Sequence, residues 1–471
     1  MDEFENYNIM LIGLGPHAKR IYINLFKKYK ITPKVIVDLK SKKKEILDYL
    51  EEHEFRNIEF LFIDDMNKDN LELPSKLKED LKKLLNTKDI KYAIISTEPK
   101  AHFAYAKFLL ENNVNILMDK PITAPTEVCS NVKKAMNIKN EYEILCKMYK
   151  PKKDQISFKI QCQRRFHEGY IYVKRLLEET IRQYNIPITY IDIYHNDGMW
   201  NMPNEFLERE NHPYKYGYGK LFHSGYHFID LLSWLLEANK ELKGKTIDNA
   251  QMFVSTNNPV DFFTVFNNYD YKRILKTNRF EKVLENQDKF KNFGEIDFHS
   301  IINFKHKDKL ITNCSLNLMQ SGFSKRAWCM LPKDTYKSNG RVRHERVNIQ
   351  VGPLMNIQVH SYQAYEVKDR EKMCNNHVGS VEHFDIYVFR NNELIGGKSF
   401  EMLDIATLSD KDKKYFIGYN EKARENCFIN FLLNIDDSSD LLEHRTSIEI
   451  TEKAYEIMSE KKNITNFNIK L

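Results

Sequence analysis

Two short segments of this chain carry the side chains best suited to chemistry. The run NILMDKP ends in Asp119, Lys120 and Pro121, and the run GKLFHSGYHFID carries His223, His227 and Asp230. A lysine at a strand end and a histidine at a loop-to-helix start are the groups needed to move a hydroxyl proton while a hydride leaves the same carbon. Imidazole exchanges a proton near neutral pH, and an ammonium steadies a developing alkoxide. His223, His227 and Asp230 could instead be read as metal ligands at helical spacing. Neither an HExxH nor a third clustered histidine accompanies them, so no metal is expected.

Hydride chemistry needs a dinucleotide, and the N-terminal third offers a place for one. NIMLIG (8–13) is a short apolar run that ends at a glycine, as a buried parallel strand does, and PHAKRIYINLFKKY (16–29) then switches to helical spacing. The turn between them, GLGPHA, has the form of a phosphate-binding fingerprint. Gly13 permits the tight turn, Gly15 lets the backbone approach a pyrophosphate, and Ala18 allows close helix–strand packing. Pro16 suits an early helical position because it has no N–H to lose, and His17 shares the turn. Asp38 stands 23 positions after Gly15, near the spacing of a carboxylate that holds the adenosine ribose. That carboxylate would repel a 2′-phosphate and favours NAD. The following Lys40, Lys42, Lys43 and Lys44 could hold the phosphate and favour NADP, or could form a solvated helix face. The expected cofactor is NAD or NADP, with NAD preferred.

The elements that must position these groups are also legible. After KVIV (34–37) come SKKKEILDYLEEH (41–53), IEFLFI (58–63), KLKEDLKKLLN (76–86), YAIIS (92–96), AHFAYAKFLLENN (101–113) and VNILMD (114–119), strand and helix by turns. Such alternation implies right-handed βαβ units and a doubly wound parallel sheet. From about residue 157 the pattern changes to strands with few helices: ITYIDIYH (188–195), IDFHSIINF (296–304), LITNCSLNLM (310–319), VNIQV (347–351), MNIQVHSY (355–362) and HFDIYVFR (383–390). NNELIGG (391–397) supplies a hairpin turn signal. The expected fold is α/β: a Rossmann domain over 1–156, then an α+β domain over 157–471 with a large, mostly antiparallel sheet. Segments 256–295 and 331–346 read as long charged and asparagine-rich loops.

Taken in order, these segments resemble the Gfo/Idh/MocA family of glucose–fructose oxidoreductase and inositol dehydrogenase. Thr97, Pro99 and His102 match its Thr-x-Pro-x-x-His turn, and Lys120-Pro121 its Lys-Pro, with Asp119 for the usual Glu. QCQRRFHEGYIYVKRLLEE (161–179) is similar to its strand ending in Arg-Phe, at Arg165-Phe166; His223, Gly225, His227 and Asp230 align with its second-domain motif. The resemblance implies an NAD(P)-dependent oxidoreductase acting on a sugar, cyclitol or similar polyol. His227 would be the general acid/base, and Lys120 would sit at the nicotinamide and hydrogen-bond the same substrate oxygen. Gly13, Gly15, Pro16, His17, Ala18, Asp38, Thr97, Pro99, His102, Asp119, Lys120 and Arg165 would contact the cofactor. Lys120, Tyr218, His223 and His227 would contact substrate. It also implies a homodimer or homotetramer and a last helix, about 444–460, that packs back toward the first domain. One departure stands out: His223 replaces the family's aspartate and removes a negative charge from the site. The same scaffold also admits a redox-neutral, NAD-dependent hydrolase or lyase, or a catalytically quiet binding protein.

Composition narrows the partners. The 72 basic and 66 acidic residues leave a formal charge of +6, and the lysines are spread throughout, so no nucleic-acid footprint is expected. Seven cysteines, at 129, 146, 162, 314, 329, 374 and 427, form no CxxC and fit a reducing compartment. No run nears the roughly 18 apolar residues of a membrane span, and the acidic start MDEFENYNIMLIG has no signal-peptide form. A cytoplasmic protein with a small-molecule substrate is the expectation.

Overall fold

The first strand, β1 (Ile9–Ile12), is buried along its whole length, and so is most of β2 (Val35–Leu39). Strands covered on both faces are continuous apolar runs and not alternating ones, which is why they are so plain in the sequence. With β3 (Glu59–Ile63), β4 (Tyr92–Ile95), β5 (Asn115–Met118) and β6 (Phe158–Ile160) they form a six-stranded sheet in the order β3-β2-β1-β4-β5-β6, every neighbouring pair parallel. That is the doubly wound order, in which ligands bind at the carboxyl ends of the strands where the order reverses between β1 and β4. The computed structural model describes residues 7–66, 72–330, 340–364, 383–404, 408, 419–462 and 464–469.

Contacts divide the chain into two compact units. One comprises Met1–Pro125, Asn137–Phe166 and Ile417–Arg445; the other comprises Thr126–Met136, His167–Phe416 and Thr446–Leu471. Both are discontinuous in sequence. In the first unit the helix that follows β1 runs from Pro16 to Tyr29, with a π-helical stretch at Lys19–Ile23. Ile21, Tyr22, Leu25 and Phe26 bury its inner face with Ile36, Ile94 and Leu117 of the sheet, and Phe428 and Phe431 of a late helix (Tyr419–Leu433) join the same core.

The second unit is built on a nine-stranded sheet ordered β14-β13-β12-β11-β7-β10-β9-β8-β15. Its strands are β7 (Tyr190–Asn196), β8 (Asn249–Asn257), β9 (Asp297–His306), β10 (Lys309–Met319), β11 (Val342–Val351), β12 (Met355–Ala364), β13 (His383–Arg390), β14 (Phe400–Asp404) and β15 (Ile464–Asn468). Among these described strands β7 and β10 are parallel and the other neighbours antiparallel. Burial alternates along β9, β10 and β11, so one face carries the core.

Three expectations change. Segment 256–295 is not a loop: β8 continues to Asn257, and three short helices follow at Pro259–Val265, Asn268–Ile274 and Glu281–Glu285. Asn258 and Asn267 cap the first two with complete capping boxes to Asp261 and Asp270. Phe262, Phe263, Tyr271, Phe280 and Phe290 give them a core. Of segment 331–346, residues 342–346 open strand β11 and residues 331–339 lie outside the described residues, as does Cys374. The strand expected to run into Arg165-Phe166 stops at Ile160, and those two residues occupy a 3₁₀ turn, Gln163–Phe166. Among the described residues no helix is long and apolar enough to cross a membrane.

Candidate active site

In the first unit, β1 leads into Gly13 at φ +92°, a conformation open to glycine but strained for other residues. A Cβ there would stand 2.6 Å from the Ser96 carbonyl oxygen, so the turns after β1 and β4 lie backbone to backbone. A Cβ on Gly15 would meet nothing within 4 Å. The start of the helix at Pro16 therefore opens onto free space, where unpaired backbone N–H groups attract an anion. Ala18 is buried beneath it.

Asp38, at the end of β2, accepts the Leu14 N–H at 2.6 Å and the Leu39 N–H at 2.7 Å. Burial pushes its pKa up and those two donors pull it back down. Each carboxylate oxygen keeps lone-pair capacity for a ribose hydroxyl, so the glycine turn and Asp38 fit a dinucleotide. The lysine run is engaged at the surface. Lys40 lies 3.6 Å from Asp64, Lys42 lies 3.5 Å from Glu45, and Lys43 sits over the Phe62 ring.

Other residues expected near the cofactor also brace the fold of this unit. Asp119 is buried and accepts the Tyr22 hydroxyl at 2.6 Å and the Ser96 hydroxyl at 2.5 Å, with the His17 Nε2 at 3.6 Å. Burial raises the Asp119 pKa, while burial and the cations Arg424, Arg20 and Lys120 hold His17 neutral. The carboxylate thus ties the first helix to the ends of β4 and β5. His102 is fully buried, with Nδ1 2.7 Å from the Pro121 carbonyl and Nε2 3.3 Å from the Thr97 carbonyl. It thereby clamps the Thr97–Pro99 turn to the Lys120–Pro121 segment. The Thr97 hydroxyl donates to the Glu98 carbonyl at 3.2 Å, and Pro99 opens a 3₁₀ turn. Lys120 itself is half-buried. Arg165 is buried and donates to the Glu443 carbonyl at 3.2 Å, inside its own unit.

Burial depresses the His102 pKa to about 4, from an ordinary 6.5. A folded-state value below the unfolded one means the unfolded chain binds the extra proton. The stability is therefore whole above pH 6.5 and is lost as pH falls toward 4. The loss is on the order of 3 kcal/mol. Urea midpoints measured between pH 7 and pH 4 should fall less steeply in His102→Gln than in the natural chain; parallel curves would remove His102 as the cause.

In the second unit, the helix Tyr226–Leu236 is preceded by a π-helical turn, Leu221–Gly225, closed by the Gly225 N–H on the Lys220 carbonyl at 2.8 Å. Such wider turns cluster at functional sites. His223, His227 and Asp230 follow one another down this helix. His227 is partly exposed in the first turn, and Asp230 is buried and accepts the Ser447 hydroxyl at 3.1 Å. His223 is buried in an aromatic cage, with its ring 5.0 Å from those of Tyr214 and His212 and 6.1 Å from that of Tyr218. Tyr218 has no exposed surface and packs against Phe222.

The groups that fix this turn were not foreseen. Lys220 has no exposed surface, yet its Nζ reaches the Asp197 carboxylate at 2.7 Å, the Met319 carbonyl at 2.8 Å, the Ser224 hydroxyl at 2.9 Å and the His195 Nδ1 at 3.1 Å. Asp197 also accepts from the Arg341 guanidinium and the Ser224 hydroxyl, and the His195 ring stacks on Phe228. Glu295 holds the turn from another side, accepting the Leu221 N–H at 2.7 Å and the Tyr455 and Cys129 side chains at 3.1 Å. The signal for Lys220 was its place inside an otherwise buried aromatic run; the partners are too distant in sequence to pair by inspection.

A parallel sheet in doubly wound order, with a glycine at positive φ after its first strand and a carboxylate after its second, is the arrangement of a dinucleotide-binding domain. Residues 7–142 match the Gfo/Idh/MocA family model, described as "Oxidoreductase family, NAD-binding Rossmann fold", and bear out the family resemblance. No curated protein matches the chain in sequence. Solved structures share the fold across both units. The aldose–aldose oxidoreductase of Caulobacter crescentus, complexed with glycerol, is 12% identical, with a TM-score of 0.54 over 98% of this chain and 99% of that one. An oxidoreductase of Agrobacterium radiobacter, in complex with NAD⁺, L-tartaric acid and magnesium, is 11% identical at 0.54 over 98% of each chain. The apo scyllo-inositol dehydrogenase of Lactobacillus casei is 14% identical at 0.52 over 98% and 99%. Identities this low speak for the fold alone.

Proposed function

We propose that this chain moves a hydride between a nicotinamide cofactor and a hydroxyl-bearing carbon of a sugar, cyclitol or similar polyol. The observation that carries the reading is the open helix start at Gly15–Pro16, with Asp38 placed beside it by the Leu14 N–H. When bound, the nicotinamide accepts or supplies the hydride; the chain supplies position and proton. His227, partly exposed in the first helical turn, exchanges the hydroxyl proton, and the Lys120 ammonium stabilises the alkoxide that develops. His223 stands where the family has aspartate, and its caged ring orients substrate without adding a negative charge. The names of the aldose–aldose oxidoreductase and of scyllo-inositol dehydrogenase support a polyol-type substrate.

NAD is preferred over NADP, because Asp38 repels a 2′-phosphate while Lys40 and Lys42 already face Asp64 and Glu45. Titration calorimetry with NAD⁺, NADH, NADP⁺ and NADPH tests both statements. Micromolar binding of the NAD pair, at least about tenfold tighter than the NADP pair, is expected. Tighter NADP binding reverses the preference, and no binding of any form removes the enzyme reading. Cofactor retained through purification turns the reading toward the redox-neutral hydrolase or lyase.

The proposal includes a homodimer or homotetramer. Ile464, Phe253 and Ile301 lie side by side in register on β15, β8 and β9, each exposed on the same face of the large sheet. A monomer mass by light scattering at micromolar concentration excludes this.

A further inference from the structure

Strands β12 and β13 pair so that His360 lies directly opposite Asp385 and Tyr362 opposite His383. Residues two apart on a strand share a face, so His383 and Asp385 project together, and His360 joins them from the neighbouring strand. The three are thus first or diagonal neighbours on one face of the sheet. Diagonal partners stand about 7–8 Å apart at Cα, within reach of imidazoles.

The carboxylate of this trio is unusual. Asp385 is only 2% exposed, and its Oδ2 has no hydrogen-bond partner. The group facing that oxygen is the His383 Nε2 at 3.6 Å, longer than a hydrogen bond. A buried carboxylate oxygen left in this state costs free energy unless a cation compensates it. Two ligands on one tetrahedral zinc, with bonds of about 2.0–2.1 Å, stand about 3.3 Å apart. His383 and Asp385 are already near that separation. The His360 ring is turned edge-on to Tyr387, with centroids 5.6 Å apart at 87°. Its ring must turn from Tyr387 to join the other two.

We propose that His360, His383 and Asp385 bind a divalent first-row transition-metal ion, with zinc or cobalt the fitting probes. Two imidazoles and one carboxylate form a ligand set that such ions accept, and water would complete the coordination. Bound there, the ion cross-links β12 to β13 and compensates the Asp385 charge. The site is independent of the proposed dehydrogenase chemistry, since it shares no residue with it.

The test is equilibrium dialysis of the full, untagged chain against Co²⁺ and against Zn²⁺, with metal per chain measured and the visible spectrum of the cobalt form recorded. One ion per chain is expected, with a tetrahedral cobalt spectrum and a rise in Tm on adding Zn²⁺. His360→Ala, His383→Ala and Asp385→Asn should each weaken binding at least about tenfold. Asp385→Asn is nearly isosteric, so a folded variant is available even if a histidine change disturbs the strands. Absence of binding by the natural chain overturns the proposal. So does binding that survives Asp385→Asn and His360→Ala unchanged, because the ion would then sit elsewhere.

Discussion

Replacing His227 with phenylalanine is expected to lower turnover by about 10²–10⁴-fold while leaving NAD affinity within about twofold. The ring is partly exposed at the start of its helix, so an aromatic of similar size leaves the packing below it intact. What disappears is the group that exchanges the hydroxyl proton. Lys120→Met should act alike through loss of the charge that stabilises the alkoxide, by roughly 10²–10³-fold. Steady-state kinetics with any substrate found by screening, set beside cofactor titration, separates these effects from misfolding. Turnover close to that of the natural enzyme in both variants means the proton is moved by another group.

Lys220→Met is the second large effect, and it falls on stability. Removing one member of a buried ion pair costs about 3–5 kcal/mol, because the remaining charge loses its partner in a low-dielectric setting. Here Asp197 keeps the Arg341 guanidinium, which softens the loss, but the Ser224 hydroxyl, the Met319 carbonyl and the His195 Nδ1 lose a donor as well. A drop in Tm on the order of 10 °C is expected by calorimetry or circular dichroism. Ser224 sits between His223 and His227 in the chain, so activity at 25 °C should fall too, even where the variant remains folded. A Tm within about 2 °C of the natural chain means the network is not holding the turn.

The N-terminal sheet was readable because its strands are buried on both faces and its helices are one-sided, which gives two distinct apolar periods. The glycine turn and Asp38 were readable for a related reason: Gly13 is where backbone must pass within contact of Ser96, and the sequence records that as the lack of a side chain. His102 and Tyr218 fall in the expected segments and both are buried, since a motif shows that a side chain is needed and not which way it faces. The composition of 259–285 reads as loop, although Asn258-Pro-Val-Asp261 and Asn267-Asn-Tyr-Asp270 are capping boxes in plain view. Asparagine richness suggested a coil where it marked helix starts. Lys220, Asp197 and Arg341 form their cluster through the register of β7 and β11, which no local pattern encodes.

Gly219 and Gly294 give the helical segment 258–293 a meaning beyond its own core. A side chain on either would lie 1.9 Å from the opposing backbone, at Glu295 or Tyr218, so the two segments meet with no room for even a methyl group. The segment returns to the sheet through that contact, and the next residue, Glu295, holds the first N–H of the turn that carries His223. Its phenylalanines continue the line: Phe263 packs on Phe206, Phe206 on Tyr214, and Tyr214 on His223. For protein engineering this makes the segment a keystone and not an ornament. A shortened chain that trims 258–293 would be smaller and simpler, but it would forfeit the wall against which its candidate catalytic helix is set.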